Sequence, residues 1–206
     1  YKINGNLAIK GLKGKELQEL KQSIENIKNC ELKKNSTTIV FSDGDPNSKI
    51  MIIGEGPGAN EDLEGVPFIG KTGELLDKML LSINLNRNNV YITNVINYRT
   101  PENRSPTKDE IARYLPYLTR HIEIIDPKIL ILLGSTALNA IIGDHQPISE
   151  IRGKWIDQKI GKCNSSVIAS FHPAFLMRQP DQKAMSWIDL KMIKKKVSDL
   201  KIKIEK

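Results

Sequence analysis

Four short apolar runs constrain the fold of this chain more than any other feature: KIMIIG (Lys49–Gly54), VYITNV (Val90–Val95), KILILLG (Lys128–Gly134) and SSVIAS (Ser165–Ser170). Each has the length of a buried strand and is followed by glycine or polar residues. Between them apolar residues recur at helical spacing. Leu17, Leu20, Ile24 and Ile27 mark a helix over residues 15–28, and Leu75, Leu76, Met79, Leu80 and Ile83 mark another over Gly73–Ile83. Thr107, with Glu110 three positions on, has the form of an N-cap opening a helix to Ile125. A further helix follows the third run through Ile141, and Trp187–Ile202 reads as a closing helix. Continuous apolar strands alternating with helices predict an α/β fold, a three-layer αβα arrangement around a central four-stranded, mostly parallel sheet. The 206 residues suffice for one domain spanning 1–206, with helices 15–28 and 187–202 packed on it.

In such sheets ligands bind outside the carboxyl ends of the strands. Every unusual motif falls at that edge: GEGPG after the first strand, TNV in the second, GSTA after the third and FHPAF after the fourth. In the first loop Gly54, Gly56 and Gly58 let backbone approach a flat ligand, and Pro57 stiffens the turn. Glu55 sits where a phosphate-binding loop would avoid an acid; it is placed to hold a water. A glycine loop alone reads first as a plain connection whose acid faces solvent, because glycine-rich turns are common. Phe68 offers a ring face. Asn94, late in a buried strand, offers both donor and acceptor to a base edge or caps neighbouring backbone. His172, fixed by Pro173, suits donation to a developing oxyanion, although a single histidine is more often structural. Ser135 and Thr136 stand at a helix start, where amides and hydroxyls favour an anion or simply cap the helix. In FLMRQP, Leu176 and Met177 beside Arg178 suit a wedge into a base stack, or a helix turn packed on the core.

Composition narrows the setting. The formal charge of +7 permits a polyanionic partner, but Lys191, Lys194, Lys195, Lys196, Lys201, Lys203 and Lys206 supply much of it from what reads as a solvated helix. The longest apolar runs, such as Ile129–Leu133, are too short to cross a bilayer. Two cysteines, Cys30 and Cys163, are too few for a disulfide framework, and no secretory pattern opens the sequence. A reducing cytoplasm is the expected setting. Because the first residue is Tyr1, further residues upstream are expected.

Taken in order, GEGPGANEDLEGVPFIGKTGELLDKML, VYITNVINYRTPENRSPTKDEI, PKILILLGSTAL and FHPAFLMR resemble the family-4 uracil-DNA glycosylases over Cys30 to Leu190. The resemblance implies hydrolysis of the N-glycosidic bond of uracil in DNA, without a covalent intermediate, after the nucleotide is flipped into a pocket. It implies a catalytic Glu55 that positions water and stabilises cationic sugar. Phe68 stacks on uracil beside Gly56, Asn94 bonds its polar edge, and His172 donates to O2. Glu61 lies near C5, where it disfavours thymine. Ser135, Thr136 and Arg178 meet DNA phosphates, while Leu176 and Met177 fill the gap left by the base.

The sequence departs from that family at one place. The family's four cysteines hold an iron–sulfur cluster; here Cys30 stands at the first position, and Lys33, Tyr98 and Tyr114 stand at the other three. One thiolate cannot hold such a cluster, and Cys163 adds at most one more ligand. The expectation is no cofactor and no metal, with Tyr98 and Tyr114 packing into the vacated space. Uracil-containing DNA is the expected partner of a monomer, with no membrane and with a replication or repair protein as a further partner. A non-catalytic DNA- or protein-binding relative is the alternative. A small-nucleotide hydrolase is disfavoured, because no Gly-Lys-Ser/Thr ending follows the glycine loop.

Overall fold

The computed structural model describes residues 11–143 and 147–204, so His145 lies outside the described residues. Its strands are β1 (Asp43–Gly44), β2 (Ile50–Gly54), β3 (Tyr91–Asn94), β4 (Ile129–Leu133), β5 (Trp155–Ile160) and β6 (Cys163–Ser170). They form one sheet in the order β1-β3-β2-β4-β6-β5. The four expected strands are its parallel centre, since β3, β2, β4 and β6 pair in parallel. Both edges are antiparallel and were not expected. β1 is two residues within what reads as a turn, and β5 carries too little apolar alternation to signal a strand. β5 pairs with β6 through the tight connection at Gly161, which takes the left-handed φ of 54°.

The helices are α1 (Leu12–Glu25), α2 (Glu31–Lys34), α3 (Ala59–Glu64), α4 (Gly70–Leu81), α5 (Lys108–Ile125), α6 (Ser135–Ile142), α7 (Ile148–Ile151), α8 (Pro173–Arg178) and α9 (Lys183–Asp199). Thr107 caps α5 as its sequence predicts: its hydroxyl accepts from the Glu110 amide, and the Glu110 carboxylate accepts from the Thr107 amide. α1 stops short of residue 28, because Asn26 closes it and Asn29 turns left-handed. α9 starts before Trp187, directly after a 3-10 turn at Pro180–Gln182. No helix among the described residues is long and apolar enough to cross a membrane.

Alternation along the strands sends side chains into two cores. Met51, Ile53, Leu130, Leu132 and Val167 pack beneath α1, α5 and α6, with Leu17, Ile24, Leu118 and Ile122. Ile50, Ile52, Ile129, Ile131 and Ile168 pack beneath α4, α8 and α9, with Leu76, Leu80, Leu176 and Ile193. This is the expected three-layer arrangement. Register then sets the function-bearing edge. Gly54 pairs with Asn94 and Leu133 with Ser170, so the loops after four parallel strands leave the sheet at a common level.

Candidate active site

Those loops enclose a cavity of about 160 Å³ at the carboxyl edge of the sheet. Cavities of roughly 150 Å³ take up benzene, so one six-membered ring fits. Glu55, Gly56, Phe68, Asn94 and His172, predicted separately from four motifs, all line it. The carboxyl end of β2 delivers Glu55 and Gly56, and β3 delivers Asn94. The β6–α8 junction delivers His172.

Phe68 is held firmly. It has a left-handed φ of 53°, and its ring lies so close to Gly54 that a Cβ there would stand 2.4 Å from Cζ. The same Cβ would stand 2.5 Å from Asn94 Oδ1, so glycine is the residue this approach permits. Behind the loop, Arg87 donates to the carbonyls of Pro67 (3.0 Å) and Phe68 and is itself held by Asp43 (2.7 Å) and Asp77 (2.8 Å). Two opposed carboxylates and two carbonyls fix the guanidinium, which in turn fixes a strained turn.

His172 caps α8, and its Nδ1 accepts from the Ala174 amide at 3.1 Å. With Nδ1 an acceptor, the neutral ring carries its proton on Nε2. Burial, and secondarily the Arg178 charge, lower its pKa from 6.5 to about 4. The ring is therefore a neutral Nε2–H donor at ordinary pH. Its centroid lies 5.4 Å from that of Phe68. Asn94 is 3 % exposed, and no described residue hydrogen-bonds its carboxamide, so both its polar atoms are free for a guest.

Six expected site residues have placements that sharpen or revise their roles. Glu61 lines the cavity, but its two oxygens accept from the amides of Gly58 and Ile69, both at 3.1 Å, bracing the loop that carries Phe68. Thr136 donates its hydroxyl to Glu55 rather than leaving it free for phosphate, whereas Ser135 is exposed. On α8, Met177 is 43 % exposed and Arg178 is exposed, but Leu176 is 1 % exposed and packs in the core. The wedge expectation for Leu176 is thus corrected: its helical position turns it into the core beneath α4, and Met177 beside it protrudes.

The cavity also has lining that sequence reasoning missed. Thr100, Asn103, Arg104 and Pro106 come from the loop between β3 and α5, to which the sequence alone assigned no site role. Its Pro-Glu-Asn-Arg-Ser-Pro composition at the carboxyl end of a strand was the available signal. Arg87 had none, because nothing local shows that it reaches back to Phe68.

The residues standing where the resemblance expects four cysteines are Cys30, Lys33, Tyr98 and Tyr114. Cys30 Sγ lies 3.4 Å from the Tyr114 hydroxyl, both buried, and Tyr98 is buried too. Lys33 turns away to donate to the Glu25 carbonyl. Burial foremost raises the pKa of Tyr98 to about 12 and that of Tyr114 further, so both phenols stay protonated. One thiol and two phenols do not fit a cluster that takes four thiolates. Cys163 is bonded to the carbonyls of Ile122 and Glu123, away from this group.

The sequence model for the uracil DNA glycosylase superfamily matches residues 41–197. The chain is 38% identical to the type-4 uracil-DNA glycosylase of Sulfurisphaera tokodaii, over 86% of this chain and 83% of the relative. It is 39% identical to the type-4 enzyme of Thermotoga maritima, over 79% of this chain and 84% of the relative. It is 36% identical to that of Archaeoglobus fulgidus, over 86% and 91%.

Proposed function

Because the chain belongs to the uracil DNA glycosylase superfamily and, within it, to the type-4 enzymes, we propose that its cavity hydrolyses the N-glycosidic bond of uracil in DNA. One observation carries the reading. His172 is locked by Ala174 as an Nε2–H donor, in a one-ring cavity shared with a bare aromatic face, an unpaired carboxamide and a carboxylate.

A uracil nucleotide rotates out of the stack, and its ring lies against Phe68. The 5.4 Å between the Phe68 and His172 centroids is less than the roughly 7 Å that two stacked spacings need, so the base does not lie between them. His172 meets it from the edge. Asn94 bonds the polar edge, donating to O4 and accepting from N3–H. As the C1′–N1 bond breaks, its electron pair passes to the base and charge accumulates on O2, where Nε2–H donates. Glu55 faces the sugar, stabilises its developing positive charge and takes a proton from the water whose oxygen bonds to C1′. The base leaves as an anion and takes up a proton to give free uracil, Glu55 returns its proton to solvent, and an abasic sugar remains. A single oxyanion donor contributes about 3 kcal/mol in comparable sites, so His172 belongs among the largest contributors. Met177 and Arg178 on α8, with the exposed Ser135, lie on the surface where DNA approaches. Every reacting side chain comes from one chain, so the chemistry needs no second copy. On the misfit at Cys30, Lys33, Tyr98 and Tyr114, the enzyme works without an iron–sulfur cluster.

The test is a uracil-containing oligonucleotide incubated with the protein and then treated with alkali. Strand cleavage at the uracil position is expected, with none for the thymine control. Intact uracil DNA under all conditions contradicts the proposal and favours a binding protein.

A further inference from the structure

Glu55 is not free in its pocket. One oxygen, Oε2, accepts from the Thr136 hydroxyl on the first turn of α6 and from the Ser105 hydroxyl at 3.4 Å, in the loop between β3 and α5. No described residue hydrogen-bonds the other oxygen, Oε1. A glutamate on a glycine loop has three rotatable side-chain bonds and a mobile base, so an unheld carboxylate would spread over many positions. The two hydroxyls come from 50 and 81 residues away and meet on one oxygen.

Their placement is built into the fold. Gly134 leaves β4 with a φ of 93°, and a Cβ there would stand 3.1 Å from His172 Cβ. That turn brings the start of α6 against the β6–α8 junction, so the hydroxyl that holds Glu55 and the ring that holds the leaving base sit on neighbouring loops.

Resting on the reading of Glu55 as the residue that holds water, we propose that Thr136 is its positioning residue, with Ser105 as a weaker second. Together they engage Oε2 and leave Oε1 as the oxygen that takes the water proton. A hydroxyl committed to a carboxylate does not serve a DNA phosphate, and a carboxylate beside this helix start disfavours one there. Thr136 therefore acts on rate, not on DNA affinity.

Thr136→Val keeps the shape and removes the donor, and Thr136→Ser restores the donor. The single-turnover rate of uracil release is expected to fall roughly ten- to hundredfold in Thr136→Val, with the dissociation constant for uracil-containing DNA unchanged. Thr136→Ser is expected to recover most of the rate. On a Glu55→Gln background, Thr136→Val is expected to add little, because the two changes remove one interaction. Weakened DNA binding at unchanged rate, a serine variant no better than valine, or a full rate loss on the Glu55→Gln background would each overturn the proposal. The carboxyl carbon resonance of Glu55, read by NMR on labelled protein, tests the contact without catalysis: it moves in Thr136→Val and returns in Thr136→Ser. An unmoved resonance overturns the proposal. An inactive wild-type protein with a moving resonance counts against the glycosylase reading alone.

Discussion

Phe68 and His172 stack on each other where they line the cavity, with ring centroids 5.4 Å apart and planes inclined by 29°. They are brought together by unrelated devices: Phe68 by a left-handed turn clamped by Arg87, His172 by capping α8. Both rings line the slot, and most of the consequences below concern keeping it open or using it.

Gly54→Ala tests how tightly the slot is drawn. The new methyl would lie 2.4 Å from Phe68 Cζ and 2.5 Å from Asn94 Oδ1, so one of them moves into the space meant for the base. Displacements of about 1 Å at reacting groups cost on the order of a hundredfold, and kcat/KM for uracil release is expected to fall by about that factor. The far-ultraviolet circular dichroism is expected to be unchanged.

Acid sensitivity follows from two buried histidines. Burial lowers His121 from 6.5 to about 3, and His172 from 6.5 to about 4. His121 accepts or donates at 2.8 Å with the Tyr91 hydroxyl and stacks on Phe41. Both groups bind more protons unfolded than folded, so their stabilisation is whole above pH 6.5 and declines as pH falls toward the folded values. The stabilisation from Glu110, held at about 2 mainly by Arg104, is whole above its ordinary 4.5 and is lost only as the pH falls below that value. Between pH 7 and about 4.5 the loss is therefore expected to come from histidine, at about 2–3 kcal/mol for each. Urea unfolding at the two pH values measures it, and His121→Phe is expected to show a smaller difference than wild type.

The two apolar residues of α8 are expected to separate cleanly. Leu176→Ala removes a core side chain and is expected to lower stability by about 2–5 kcal/mol, read by denaturant unfolding. Met177→Ala is expected to leave the unfolding midpoint unchanged while slowing uracil release from duplex more than from single strands, since a wedge matters only where a base leaves a stack.

At the cluster position the expected result is a protein without iron whose activity survives a chelator. Stability there depends on packing and on the bond between Cys30 and Tyr114. Tyr114→Phe is expected to cost about 1 kcal/mol and Tyr114→Ala about 3–5 kcal/mol by calorimetry. Iron in freshly purified protein would contradict this.

Sequence carried the centre of the fold and part of the lining of the slot because both rest on short-range patterns. Buried parallel strands read as apolar runs, and Glu55, Phe68, Asn94 and His172 stand out as polar or aromatic residues at strand ends. What it did not carry depends on contacts distant in sequence. The edge strands β1 and β5 exist because a neighbour is present to pair with, and Arg87 earns its place only through carbonyls 19 and 20 residues back. Thr136 was legible as a helix start, yet its partner lies 81 residues away. Leu176 and Met177 looked alike as neighbours in one loop, and only the helix that forms there turns one inward.

The most direct measurement compares release of uracil with release of 5-fluorouracil, a more acidic leaving base, by wild type and His172→Ala in single-turnover reactions. If Nε2–H carries the charge of the departing base, the fold loss caused by His172→Ala shrinks markedly with 5-fluorouracil, because that anion needs less help. An equal loss with both bases would show that the ring does not act on the leaving group.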